Sequence, residues 1–205
     1  QIGNIFFHSY RAISFVSSKK IIEFKMKPYT TLKTKDDLKI NLFSNQLKSK
    51  KGVIVVTHGM GEHALRYSEM AQYFTEAGFA VVAFDTRGHG SSEGKRGHTP
   101  SYDILMDDID RVFDKVNSDY PGVPVVLFGH SMGGNLILNF LLRRKRKVAG
   151  AIVTGPYLKL GFEPPKWKII LAKLSSNILP SLSQPTELEK PALTRTSQVV
   201  RDYED

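Results

Sequence analysis

Residues Val125–Asn135 read VVLFGHSMGGN, and the rest of the chain falls into place around them. The run Val123–Phe128 is almost wholly apolar, as a strand buried on both faces of a sheet requires. Gly129-His130-Ser131-Met132-Gly133 then matches G-x-S-x-G, and a helical pattern continues to about Leu142. Such a serine sits on a tight strand-to-helix turn, where the flanking glycines remove side chains that would collide. The helix start aims unpaired N–H groups and a positive dipole end at it. The five-residue pattern alone also fits an ordinary turn with a capping serine. With strand, serine and helix in sequence, it points to a serine poised for nucleophilic chemistry.

Reading toward the N-terminus, the same alternation recurs. Tyr29–Lys35 and Leu38–Phe43 flank Asp36-Asp37 and predict a hairpin, followed by a lysine-rich loop over Gln46–Lys51. Gly52–Thr57 (GVIVVT) predicts a buried strand, Leu65–Ala77 a helix ending at Gly78, and Phe79–Phe84 another buried strand. Asp85–Gly97 is a glycine-rich loop. Tyr102–Asp119 predicts a helix with Ile104, Leu105, Ile109, Val112, Phe113 and Val116 on one face and acids on the other. After the central serine, Val148–Thr154 predicts one more strand. Short apolar strands alternating with amphipathic helices define an α/β class with a mostly parallel sheet.

A second turn shares the chemistry. Thr57-His58-Gly59-Met60-Gly61-Glu62-His63 follows an earlier strand, so the Met60 and Met132 N–H groups are candidate donors to one developing oxyanion. Gly59–Ala64 also fits the dinucleotide fingerprint G-x-G-x-x-A, with Asp85 ending the next strand. That reading leaves GHSMGG without a use, and the fingerprint ordinarily follows the first strand of its unit. Gly90–Lys95 departs from a P-loop at both ends, with His89 and Arg96 at the wrong positions.

Composition narrows the field further. The 205 residues are 41% hydrophobic and 24% charged, which suits one globular core and excludes a disordered tail or collagen-like repeat. Without cysteine there is no disulfide, thiolate metal site or cysteine nucleophile. No apolar run reaches the roughly 18 residues of a membrane-spanning helix. The +9 net charge lies mostly in residues 1–51, where eleven Lys and Arg meet three acids. The remainder is nearly neutral and carries no basic stripe with interleaved aromatics, which argues against nucleic acid. Residues 1–25 lack a clean period and a signal-peptide h-region, and are expected to be an extension outside the fold. No targeting segment and no cysteine suit a cytoplasmic protein.

Taken together, HGMGEH at 58–63, FDTRGHGSSEGKRG at 84–97, DYPGVPVVLFGHSMGGN at 119–135 and GPYLKL at 155–160 resemble the monoacylglycerol lipase and lysophospholipase branch of the α/β-hydrolase superfamily, the serine aminopeptidase S33 type. The resemblance covers residues 28–205. It implies an α/β-hydrolase fold over residues 26–205, with Ser131 as nucleophile and the Met60 and Met132 amides as oxyanion hole. It also implies a lipid or other small-molecule ester as substrate; no cofactor or metal is expected, because His and acid clusters at ligand spacing are absent from the sequence. Asp85, Arg87 and His89 would brace the loop beside the serine, and His58 and His130 would pack next to it. His63 and Trp167 are candidate substrate contacts, His63 with a plain surface role as the alternative. A cap segment over about 156–190 would include the amphipathic stretch Trp167–Leu179. Its apolar stripe, flanked by Lys166, Lys168 and Lys173, would cover an acyl pocket and touch a membrane surface; an ordinary helix packed on the sheet is the alternative. Arg143–Lys147 reads as a solvated helix end complementing the dipole.

One part of the chemistry is missing. A serine needs a histidine in hydrogen-bond reach and an acid to orient it, in the chain order Ser…Asp/Glu…His. All six histidines (His8, His58, His63, His89, His98, His130) precede Ser131. Asp202, Glu204 and Asp205 lack a strand to place them. The expectation is an N-terminal portion of a hydrolase, C-terminally incomplete and inactive by itself, with Val148–Thr154 left as an edge strand. A general carboxylesterase, an S33-type peptidase relative and a catalytically dead hydrolase-fold binding protein remain alternatives.

Overall fold

The computed structural model describes residues 24–48, 51–159 and 163–178. Residues 1–23 of the expected extension, the parts of the cap segment at 160–162 and 179–190, the late acids, and the side chains of Lys168 and Lys173 lie outside them.

β1 (Lys27–Lys33) and β2 (Lys39–Ser44) form the expected hairpin, its turn closed by Asp37 at a positive φ of 68°. β2 runs antiparallel to β4 (Ala80–Phe84), while β3 (Val53–Thr57), β4, β5 (Val125–His130) and β6 (Gly150–Thr154) are parallel neighbours in the order β1-β2-β4-β3-β5-β6. Pro28 lies on the edge strand beside a register shift, where its missing N–H breaks no inner ladder.

Alternating residues of the central strands feed two cores, which is why their sequences are continuously apolar. On one face Val53, Val55, Val82 and Phe84 meet Ile109, Val112, Phe113 and Phe140 of the helices α2 (Tyr102–Asp119) and α3 (Met132–Arg144). On the other, Ile54, Val56, Val81 and Ala83 meet Ala64, Tyr67 and Ala71. These belong to a 3-10 turn (Ala64–Tyr67) and α1 (Ser68–Glu76), so the single helix expected over Leu65–Ala77 opens with a tighter turn. Met26 is buried in this second cluster and Phe24 packs against it, so the packing reaches back past the expected boundary.

Arg87 carries the long-range order of this framework. The side chain is 2% exposed and bidentate to two carboxylates. Nε and Nη2 donate to Asp108 at 2.6 and 2.9 Å, and Nη1 and Nη2 donate to Asp36 at 2.8 and 2.9 Å. The guanidinium thus pins the hairpin turn and α2 to the loop after β4, and holds the Asp36 carboxyl well below the usual range. Sequence reading assigns the acids of α2 to solvent. Asp108 is the exception, buried on the apolar face because Arg87 meets it there.

The basic run is a second correction. Arg143 pairs with Asp103, Arg144 with Asp107 and Asp110, and Arg146 with Asp110 and Asp114, at 2.8–3.4 Å. Those four acids recur at helical spacing along α2, so the run fastens α3 to α2 instead of ending in solvent. β6 closes one edge of the sheet among the described residues, with Ala151 and Ile152 exposed, in keeping with the expected edge strand. α4 (Lys166–Ile178) follows, and among the described residues no helix is long and apolar enough to cross a membrane.

Arg87→Ala leaves Asp108 buried without its cation and is expected to lower stability by roughly 3–5 kcal/mol in urea unfolding. Arg87→Lys, which cannot grip two carboxylates bidentately, should recover less than half of that loss.

Candidate active site

β4 follows β3 on one side of it, and β5 lies on the other, so the chain reverses its direction across the sheet at β3. Open α/β sheets place ligand crevices at the carboxyl ends of strands at such a reversal. The two motifs singled out from sequence both lie there: 58–63 directly after β3, and Ser131 directly after β5.

Ser131 has φ 51° and ψ −115°, a conformation that side-chain-bearing residues rarely adopt. Three backbone bonds hold it. Its N–H donates to the Thr154 carbonyl at 3.0 Å, and its carbonyl accepts from Asn135 N at 3.1 Å and Tyr157 N at 3.0 Å. The Asn135 side chain ties the same segments, donating to the Tyr157 carbonyl at 2.8 Å while accepting from the Tyr102 hydroxyl at 2.5 Å.

Close approach explains the glycines. A Cβ on Gly133 would stand 2.1 Å from the Thr57 carbonyl oxygen, and one on Gly129 would stand 2.5 Å from that of Gly133. Only glycine lets α3 start against the end of β3. Met132 is the first residue of α3, so its N–H belongs to the unpaired first turn. Gly59 faces Ser131, its Cβ position lying 3.4 Å from the serine Cβ. Met60, next in that turn, is 46% exposed, and His63 is exposed. Structure therefore brings the two amide-bearing turns together at Ser131.

Three histidines near the serine are committed elsewhere. His58 is fully buried, with Nε2 receiving the Thr86 N–H at 3.0 Å. A backbone N–H can only donate, so the ring proton sits on Nδ1, 2.7 Å from the Gly59 carbonyl. Burial keeps this imidazole neutral and drives its pKa from 6.5 down to about 4. His89 Nδ1 lies 3.0 Å from the Arg87 carbonyl, and His130 Nδ1 lies 2.9 Å from the Thr154 hydroxyl. Asp85 is equally occupied: its carboxylate accepts from Ala64 N at 2.7 Å, Ser91 N at 2.7 Å and the Ser91 hydroxyl at 2.9 Å. The bracing expected of Asp85, Arg87 and His89 is thus visible bond by bond.

Glu62 is a residue that sequence reading passed over. Its carboxylate accepts from Gly59 N at 2.9 Å and from the Tyr67 hydroxyl at 2.8 Å. The only signal was its place inside HGMGEH. Trp167 lies in α4, where it, Ile170, Leu171 and Leu174 are each more than half exposed.

A positive-φ serine between a central parallel strand and a glycine-lined helix start defines this as an α/β-hydrolase fold. Residues 48–205 match the family described as serine aminopeptidase, S33, and the chain belongs to that family, in its monoacylglycerol lipase-like branch. It is 37% identical over 134 residues to the monoglyceride lipase of Homo sapiens, covering 65% of this chain and 44% of the human protein. To the monoacylglycerol lipase of Mycolicibacterium smegmatis it is 33% identical over 154 residues, covering 75% and 54% respectively. The crystal structure of Paleococcus ferrophilus monoacylglycerol lipase superposes with a TM-score of 0.68 at 32% identity, over 88% of this chain and 63% of that one. The chain spans about half the length of the two curated lipases.

Two outcomes follow from this geometry. Ser131→Gly relieves the strained backbone and should be about 1 kcal/mol more stable than Ser131→Ala, which keeps its Cβ. Comparing the two denaturation midpoints checks this. His58, with its folded pKa depressed, contributes stability that is intact above pH 6.5 and is lost as pH falls toward 4. That loss should reach roughly 3 kcal/mol in urea unfolding, and His58→Gln, weaker at pH 7, should flatten it.

Proposed function

We propose that this protein is a serine ester hydrolase that cleaves a monoacylglycerol or lysophospholipid-like lipid ester through an acyl-serine intermediate. The observation that carries the reading is the Ser131 backbone, held at positive φ where the turns after β3 and β5 converge. A serine fixed there offers its hydroxyl to a carbonyl entering above the carboxyl ends of the strands.

The Ser131 Oγ attacks the ester carbonyl as a general base takes its proton. The Met60 and Met132 N–H groups receive the developing oxyanion. Preorganised donors of this kind are worth several kcal/mol in a dry site, since removing one costs about 3. Collapse of the tetrahedral intermediate expels the glycerol-side alcohol, which takes up the proton, and leaves the acyl-serine. Water then attacks the acyl group, giving the fatty acid and restoring the hydroxyl. No histidine follows Ser131, and His58, His89 and His130 are engaged with backbone or hydroxyl groups. On this reading the base and the acid that orients it come from outside these 205 residues, and the chain alone is inactive.

The exposed apolar residues of α4 support a cap that receives the acyl chain and rests on a lipid surface. Trp167 and the exposed His63 would contact substrate.

The test is a fluorophosphonate probe on protein made from the complete reading frame. Labelling of Ser131, and a fall in kcat of at least about 10⁴-fold in Ser131→Ala, are expected. Acyl-chain profiling should favour long-chain monoacylglycerols over p-nitrophenyl acetate. A folded, complete protein whose Ser131 stays unlabelled defeats the reading. Residues 26–205 alone should aggregate and turn over no p-nitrophenyl ester; soluble monomer with Ser131-dependent turnover contradicts that part.

A further inference from the structure

Glu62 occupies an unusual place for a carboxylate. It stands on the turn after β3 with its side chain only 13% exposed. Between it and the serine lies one glycine: a Cβ on Gly59 would be 3.0 Å from Glu62 Oε2 and 3.4 Å from Ser131 Cβ. Oε2 accepts from Gly59 N and from the Tyr67 hydroxyl, and Oε1 lies 3.7 Å from Arg66 Nη1.

We infer that Glu62 is a positioning residue for the reaction: it fixes the His58–Gly59 peptide, whose N–H it accepts, and, together with the His58 Nδ1–H bond to the Gly59 carbonyl, sets the direction of the Met60 N–H at Ser131. The inference rests on the reading of Met60 as an oxyanion donor given above. The turn carries its own reason for needing an anchor. Gly59–His63 belongs to no strand or helix, and Gly61 adopts φ 71°, so no regular ladder sets the orientation of its peptides. An amide helps a developing oxyanion only if it is aimed before the charge appears.

The anchor is itself anchored. Tyr67 is buried, its ring 5.9 Å from that of Phe128 in an edge-on contact with β5. Burial and the neighbouring carboxylate hold its phenol in the protonated, donating form. The line from Phe128 through Tyr67 and Glu62 to Gly59 therefore connects the strand that carries the serine to the turn that faces it. A bare carboxylate here would oppose a nascent oxyanion. Two hydrogen bonds and the nearby Arg66 absorb that charge, leaving the geometric effect dominant.

The measurement is kcat and KM on a monoacylglycerol, with protein from the complete reading frame and active sites counted by fluorophosphonate titration. Glu62→Ala should lower kcat per titrated site about 30-fold while KM stays within about twofold. Tyr67→Phe, which keeps the buried ring, should lower kcat about fivefold and serves if Glu62→Ala does not fold. Glu62→Gln retains an acceptor for Gly59 N–H and should keep at least about a third of wild-type kcat. Unchanged kcat per titrated site in Glu62→Ala and Tyr67→Phe overturns the inference, as does a loss confined to KM or to the titratable fraction. A Glu62→Gln variant as impaired as Glu62→Ala assigns the effect to charge and overturns it too. Wild-type protein that neither labels nor turns over refutes the serine hydrolase reading itself, and the two failures are told apart in that arm.

Discussion

The close approach of α3 to the end of β3 is the constraint on which the rest depends. With 2.1 Å between a would-be Gly133 Cβ and the Thr57 carbonyl, no side chain fits at that position. The contact fixes where the helix begins relative to the neighbouring strand, and so fixes the serine just before it. Ser131 cannot relax out of its positive φ, because Thr154, Asn135 and Tyr157 grip its backbone on both sides. Strain at one residue is thus set by packing and hydrogen bonds in three others.

Around this point polar residues do what apolar cores do elsewhere. Asp85 joins the turn after β3 to the loop after β4 through Ala64 and Ser91. His58 joins them again through Gly59 and Thr86. Arg87 carries the connection on to the hairpin and to α2. Each group is buried and each has its partners, as buried polar atoms must. The glycine-rich loop after β4, which has no regular structure of its own, is held by these contacts and in turn steadies the site. Buried networks of this kind carry large local penalties when broken and specify one arrangement of loops.

Much of this was legible in one sequence. Continuous apolar runs announced the parallel strands, and glycine at 129 and 133 announced close packing around the serine. The resemblance carried by HGMGEH and FDTRGHGSSEGKRG supplied the bracing roles of Asp85, Arg87 and His89. What escaped did so for identifiable reasons. Periodicity sorts residues by polarity, so it sent Asp108 to solvent, although its partner Arg87 lies 21 residues away in the chain. The same rule left Arg143–Lys147 hydrated, because the four acids that meet it sit on another helix. Glu62 is one acid in a turn, and only the placement of Gly59 N and Tyr67 around it gives it meaning.

By itself, then, the sequence determined the α/β class, the order of the elements and the serine at the sharp turn. These depend on local patterns: apolar period, glycine position and capping chemistry. Tertiary structure decided which buried charges are paired, which nitrogen of His58 carries its proton, and which turn faces Ser131. Those depend on groups far apart in the chain, and their energies exist only once folding has removed the water between them.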